Sequence, residues 1–120
     1  MGKKTLVIGA SSDPTRYSYL AVEMLRSHGH PVMAIGKRGG RVSDIDIQKE
    51  IIKEEGVNTV TLYLNPSHQK AYYDYIISLH PKRIIFNPGT ENPEFFQLAK
   101  SAGIEVMEAC TLVLLRTGQF

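Results

Sequence analysis

The chain has 120 residues but only one cysteine, Cys110, and a formal charge of just +2. A lone cysteine forms no internal disulfide, which suits a reducing compartment rather than a disulfide-stapled secreted scaffold. So small a net charge supplies neither the basic surface of a nucleic-acid binder nor the excess charge of a disordered tail. No apolar stretch is long enough for a signal peptide or a membrane span, and Met1-Gly2-Lys3-Lys4 leads directly into the first strand. The expectation is a soluble cytoplasmic protein. Linkers, repeats and low-complexity tracts are also missing, so residues 1–120 read as one domain with its own core.

A convincing catalytic set is missing as well. His28 and His30 lie two residues apart at a helix end, a poor spacing for one helix face, and read as turn residues rather than metal ligands. His68 opens a helix without a partner, and His80 before Pro81 reads as exposed. Tyr72, Tyr73 and Tyr75 read as a contact surface for packing or oligomerisation. The dinucleotide fingerprint Gly-x-Gly-x-x-Gly is incomplete: the chain has Gly9-x-Ser11-x-x-Pro14, with only the first glycine in place.

What is present is a strand running into a small, turn-prone loop. Leu6-Val7-Ile8 is followed by Gly9-Ala10-Ser11-Ser12-Asp13-Pro14-Thr15-Arg16, and a helical pattern starts near Ser18. Strand, tight turn and helix start in that order build the first unit of a nucleotide-binding α/β domain. Its backbone N–H groups beside a helix N-terminus favour a pyrophosphate. Gly9 would let phosphates approach the main chain, Ser11 and Ser12 would add hydroxyls, and Pro14 would stiffen the turn.

The rest alternates regularly. Periodicity predicts strands at residues 5–8, 32–35, 59–64, 83–86 and 104–107. Helices are predicted at 18–27, at 45–55 with Ile47, Ile51 and Ile52 as the apolar side, and at 67–79 capped by Ser67. A further helix runs from Asn92 or Pro93 to near Gly103, and residues 111–115 fit strand or helix equally. The fold class is therefore α/β, a doubly wound, Rossmann-like parallel sheet of about five strands. Ligands in such sheets bind beyond the strands' carboxyl ends, where the small, polar or proline-containing segments 9–16, 36–41, 65–68, 87–91 and 108–110 gather. After the second strand an NAD site usually carries an acid, but here Gly36-Lys37-Arg38 follows. Cations there fit an extra ribose phosphate, either the 2′-phosphate of NADP or the 3′-phosphate of coenzyme A (CoA).

Val7-Ile8-Gly9-Ala10-Ser11-Ser12-Asp13-Pro14-Thr15-Arg16, Ser18-Tyr19, Asn87-Pro88-Gly89-Thr90-Glu91-Asn92, and Ala102-Gly103-Ile104-Glu105-Val106 with Cys110 resemble the small stand-alone CoA-binding domain family. That family is related to the nucleotide-binding domain of the succinyl-CoA synthetase α subunit. The resemblance implies a Rossmann-like domain that binds CoA or an acyl-CoA. Gly9, Ala10, Ser11 and Ser12 would meet the pyrophosphate near Arg16, with Tyr17, where the family usually has proline, controlling access. Gly36, Lys37 and Arg38 would take the adenosine end, Lys37 nearest the 3′-phosphate. Leu64, Asn65 and Pro66 would flank the adenine, while Asn87, Pro88 and Gly89 would line the pantetheine arm and Cys110 would lie near the thiol. The expected role is binding without catalysis; the alternative is an NADP-binding reductase or a nucleotide-sensing regulatory module. A homo-oligomer or a protein partner is compatible with either.

Overall fold

The computed structural model describes residues 2–120. The segments that alternate strictly between apolar and turn-forming residues fold as expected: β1 (Thr5–Ile8), β2 (Val32–Ile35) and β6 (Arg83–Phe86) have the predicted bounds. Helix α1 spans Tyr17–Ser27, β5 spans Thr59–Leu62, and α4 spans Pro93–Ser101 ahead of β7 (Glu105–Glu108). The ambiguous segment near the end is helix α5 (Thr111–Arg116).

The sheet has seven strands, in the order β3-β4-β2-β1-β5-β6-β7, rather than about five. One of the two extra strands takes the start of the helix expected at 45–55, and the other lies just ahead of it. Gly40–Val42 is β3 and Ile45–Gln48 is β4, an antiparallel hairpin whose second strand runs parallel to β2. Ile45 and Ile47 alternate with Asp46 and Gln48, a strand period, whereas Ile51 ends exposed in the irregular segment that follows. A second correction concerns the helix cap after β5. The side chain of Asn65, not Ser67, accepts from the His68 N–H, and Pro66 takes the first helical position, where its missing N–H costs nothing. That helical stretch is three pieces: α2 (Pro66–Gln69), a 3-10 turn (Lys70–Tyr72) and α3 (Tyr73–Ser78).

Residue alternation along each central strand builds two cores. Leu6 and Ile8 of β1 join Val60, Leu62, Ile84, Phe86 and Phe95 on the face covered by α3 and α4. Val7 points the other way, to Val22, Leu25, Ala34, Ile85 and Leu115 beneath α1 and α5. The three tyrosines serve this packing: Tyr73 is in the first core, with Tyr72 and Tyr75 against it. At the sheet edge away from the loops, Phe120 packs against His30 and the Arg83 guanidinium, and its carbonyl accepts from Lys3 and Arg83. No described helix is long and apolar enough to cross a membrane.

Candidate functional site

β1 pairs with β2 on one side and β5 on the other, so the chain order reverses at β1. Crossovers leave in opposite directions there, opening a crevice between the carboxyl ends of β1 and β5. Gly9 stands at that point with φ +92°, and a Cβ would come within 2.9 Å of the Tyr63 carbonyl carbon. A side chain would therefore be strained both by the backbone and by its neighbour. The next loop is fitted against it: a Cβ at Gly36 would collide with the Ala10 carbonyl oxygen, and one at Gly40 would come within 2.8 Å of Ser12 Oγ.

The cleft formed here encloses about 630 Å³ and is lined by Gly9, Ala10, Ser11, Ser12, Asp13, Arg16, Tyr17, Ser18, Lys37, Arg38, Gly39, Tyr63, Asn65, Pro88, Gly89 and Thr90. It thus gathers eleven of the expected residues: Gly9, Ala10, Ser11, Ser12, Arg16, Tyr17, Lys37, Arg38, Asn65, Pro88 and Gly89. Six others stand back from it. Gly36 is buried under Ala10, Leu64 packs on the core, and Pro14 and Pro66 sit on the outer surface. Asn87 is 2% exposed and turned inward, donating to Thr61 Oγ1 (2.7 Å) and Leu62 O (2.9 Å) and accepting from Thr111 N (2.9 Å). It ties α5 to the sheet instead of meeting the cleft. Cys110 is the half-buried N-cap of α5 and does not line the cleft.

Donor accounting gives the cleft its character. The N–H groups of Gly9 and Ala10 both donate to Ile35 O (2.9 Å each), so they are committed to the fold. Asp13 folds the loop on itself: its carboxylate accepts from Thr15 N (2.9 Å) and Thr15 Oγ1 (2.7 Å), which hold it below the usual carboxylate range. Beyond it, Arg16 caps α1 without a side-chain hydrogen bond, and the first turn carries no acid. Among the described residues, the N–H groups of Ser11, Ser12, Tyr17, Ser18 and Tyr19 have no partner. These unspent donors, beside the positive end of an eleven-residue helix, form a cradle suited to a phosphate. Arg16 adds a charge, held only loosely by Asp13 at 3.9 Å.

The opposite wall is stiff. Buried Gln69 donates to Leu64 O (2.9 Å) and Thr90 O (2.8 Å) and accepts from Asn92, fixing the 87–92 loop to α2. The sequence reading assigned no role to Tyr63 or Thr90. Tyr63 reads as part of an apolar strand, but β5 ends one residue earlier and leaves it at the crevice. Burial pushes its phenol up to about 12, and its hydroxyl has no hydrogen-bond partner among the described residues.

A larger groove of about 740 Å³ lies between α1, the β3–β4 turn and α5. It is shallow, and its Arg26 and Asp44 are spent on each other (2.9 and 2.7 Å), so it presents no convergent donors comparable to the cleft.

Known proteins agree with this architecture. An uncharacterised protein of known crystal structure is 50% identical over 100% of this chain and 99% of its own, with a TM-score of 0.97. The protein cell-free ID.343 from Thermus thermophilus is 26% identical, with 99% and 91% covered and a TM-score of 0.85. A hypothetical protein from Pyrococcus horikoshii OT3 shares the fold at 22% identity, with 97% and 83% covered and a TM-score of 0.87. No curated protein sequence matches significantly. The sequence profile described as CoA binding domain matches residues 3–116, and with the crevice and its Rossmann-like sheet in the expected place, the chain belongs to the CoA-binding domain family.

Proposed function

We propose that this protein binds coenzyme A or an acyl-CoA without transforming it. The observation that carries the reading is the open first turn of α1: the unpaired N–H groups of Tyr17 and Ser18 belong, with those of Ser11 and Ser12, to residues that line the cleft, and they suit a pyrophosphate. Lys37 and Arg38, at the β2 end, suit the 3′-phosphate, and Pro88 and Gly89 border the path of the pantetheine arm. Asn65 stands beside the adenine, with its side-chain oxygen already engaged by Ser67 and His68 and its amide free to donate. None of the four histidines lines the cleft, which supports a binding role over general acid–base chemistry.

The second reading, an NADP-binding reductase or nucleotide sensor, rests on the same Lys37-Arg38 pair, since cations at that strand end serve a 2′-phosphate equally well. One titration separates the two. Ligand at about a hundredfold its dissociation constant adds about 2.7 kcal/mol to the native state. CoA should therefore raise the melting temperature by several degrees, and NAD should not. A strong shift with NADP and none with millimolar CoA overturns the CoA reading.

A further inference from the structure

The hairpin at 40–48 brings a residue to the cleft that lies outside the lining just described. β4 runs parallel to β2 with Ile35 opposite Gln48, and Gly36 N donates to Gln48 O at 2.8 Å. Lys49 follows β4 directly, as Gly36 follows β2, so it emerges at the carboxyl edge of the sheet beside the Gly36-Lys37-Arg38 turn. The Lys49 stem lies over Gly39, a cleft-lining residue: a Cβ there would be 3.1 Å from Lys49 Cε and 3.5 Å from its Cγ. The hairpin is also seated on the phosphate loop through Gly40 and Ser12, so the stem's position is fixed relative to the cradle.

Charge pairing sets this end apart from the rest of the hairpin. Arg41 pairs with Asp46 at 3.6 Å, and Arg26 reaches Asp44 at 2.7 Å. Among the described residues, Lys37, Arg38 and Lys49 make no ion pair, and the adjacent Glu50 pairs with none of them. Three like charges without counter-ions, two within two residues of Gly39 in the chain and one whose stem lies over it, repel one another unless an anion joins them. A phosphomonoester, close to dianionic at neutral pH, is a far better counter-ion for them than the singly charged phosphates of a pyrophosphate bridge.

We infer that Lys49 is a specificity-determining residue of the cleft, completing with Lys37 and Arg38 a site for a phosphomonoester on the ribose of an adenine nucleotide. This rests on the nucleotide-binding reading above. Both CoA and NADP carry such a group, on different ribose oxygens, and a matched pair of ligands distinguishes the sources.

The test is calorimetry with CoA, dephospho-CoA, NADP and NAD on the wild type, Lys49→Met and Lys49→Arg. Methionine keeps a stem over Gly39, so the variant's melting temperature should match the wild type. Wild type should favour the phosphorylated member of one pair, and Lys49→Met should cut that preference about five- to tenfold. Binding of the unphosphorylated member should be unchanged, and Lys49→Arg should keep most of the preference. Preference within the CoA pair identifies the 3′-phosphate, and within the NADP pair the 2′-phosphate. Equal weakening of both members, or no change in the preference, overturns the role of Lys49. Failure of the wild type to bind any of the four removes the nucleotide reading itself, and is seen before any variant is made.

Discussion

Helices α1 and α4 both start at the carboxyl edge of the sheet, one after β1 and the other after β6, yet their first turns are finished in opposite ways. At α4 the cap is Asn92, only 5% exposed, whose Oδ1 accepts from Phe95 N at 3.1 Å, with Pro93 next and Glu94 in the first turn. Every device that satisfies a helix N-terminus is present. At α1 the cap is Arg16, without a side-chain hydrogen bond, and no acid follows. Uncapped donors cost stability, roughly 1 kcal/mol for a missing cap. Cys110 leaves α5 without a cap side chain too, but there Asn87 Oδ1 accepts from Thr111 N at 2.9 Å, whereas at α1 nothing stands in. The closed turn holds the wall, and the open one is left for a ligand.

Removing the closed cap should have the largest effect. Asn92→Ala deletes the cap of α4 and strands two buried partners, Gln69 Oε1 (2.9 Å) and Tyr73 OH (2.7 Å). A lost cap plus unsatisfied buried groups predicts about 2–4 kcal/mol of destabilisation in urea unfolding. A loss under about 0.5 kcal/mol would mean that the wall is not held by this network.

Closing the open cap should reverse the sign between stability and binding. Arg16 already has the extended backbone of a cap (φ −88°, ψ 143°), so Arg16→Asp can accept from the first-turn donors. The free protein should gain about 0.5–1 kcal/mol. CoA affinity should fall by about 2–3 kcal/mol, because a cation is lost and an anion placed in the cradle. Stabilisation with unchanged affinity would remove α1 from the binding site.

A smaller effect tests the cap of α2. Asn65→Ala should cost about 1 kcal/mol. Ser67→Ala should stay within about 0.5 kcal/mol, since Ser67 only donates to the cap, at 2.6 Å. Equal losses would restore Ser67 as the effective cap.

The last prediction concerns the far end of α1. His30 Nδ1 accepts from Lys3 N at 2.9 Å, which requires an unprotonated nitrogen. Burial, followed by the charges of His28, Lys3 and Arg83, pushes His30 below its ordinary value of 6.5. The unfolded chain therefore binds this proton more readily than the folded one. The associated stability is intact above about pH 6.5 and is lost as pH falls from there toward the folded value. Urea midpoints should decline between pH 7.5 and pH 5.5, and less steeply in His30→Gln; identical slopes in the two proteins would exclude His30 as the cause.

The sequence was most legible where burial on both faces leaves one interpretation. Leu6-Val7-Ile8 and Arg83-Ile84-Ile85-Phe86 could be little else than central strands, and the loops after them gathered at one edge as topology requires. The hairpin was not legible as such. Ile47, Ile51 and Ile52 satisfy a helical spacing by coincidence, and the competing alternation of Ile45 and Ile47 covers only one four-residue strand. The cost was Lys49, which a helix would have carried elsewhere. Hydrogen-bond direction was equally hidden. Asn87 belongs to a loop that lines the cleft, but whether its amide faces the ligand or the core is decided by Thr61 and Thr111, distant in the chain. The cap at Asn65 was readable in hindsight, because Pro66 excludes helix before itself and suits the first helical position.

The meshing of Gly36 with Ala10 and of Gly40 with Ser12 has a kinetic consequence. Loops packed this closely, Gly36 against the Ala10 main chain and Gly40 against the Ser12 side chain, cannot open separately, so the entropy of ordering the cradle is lost once, during folding, and not again at each encounter. A ligand then meets donors already in position, and its arrival should be a single relaxation without a slow closing phase. On the phosphate-loop side the crevice is shaped by backbone packed against Gly9 and Gly36. Its rim charges can therefore be exchanged to change which nucleotide is held, leaving the shape of the crevice as it is.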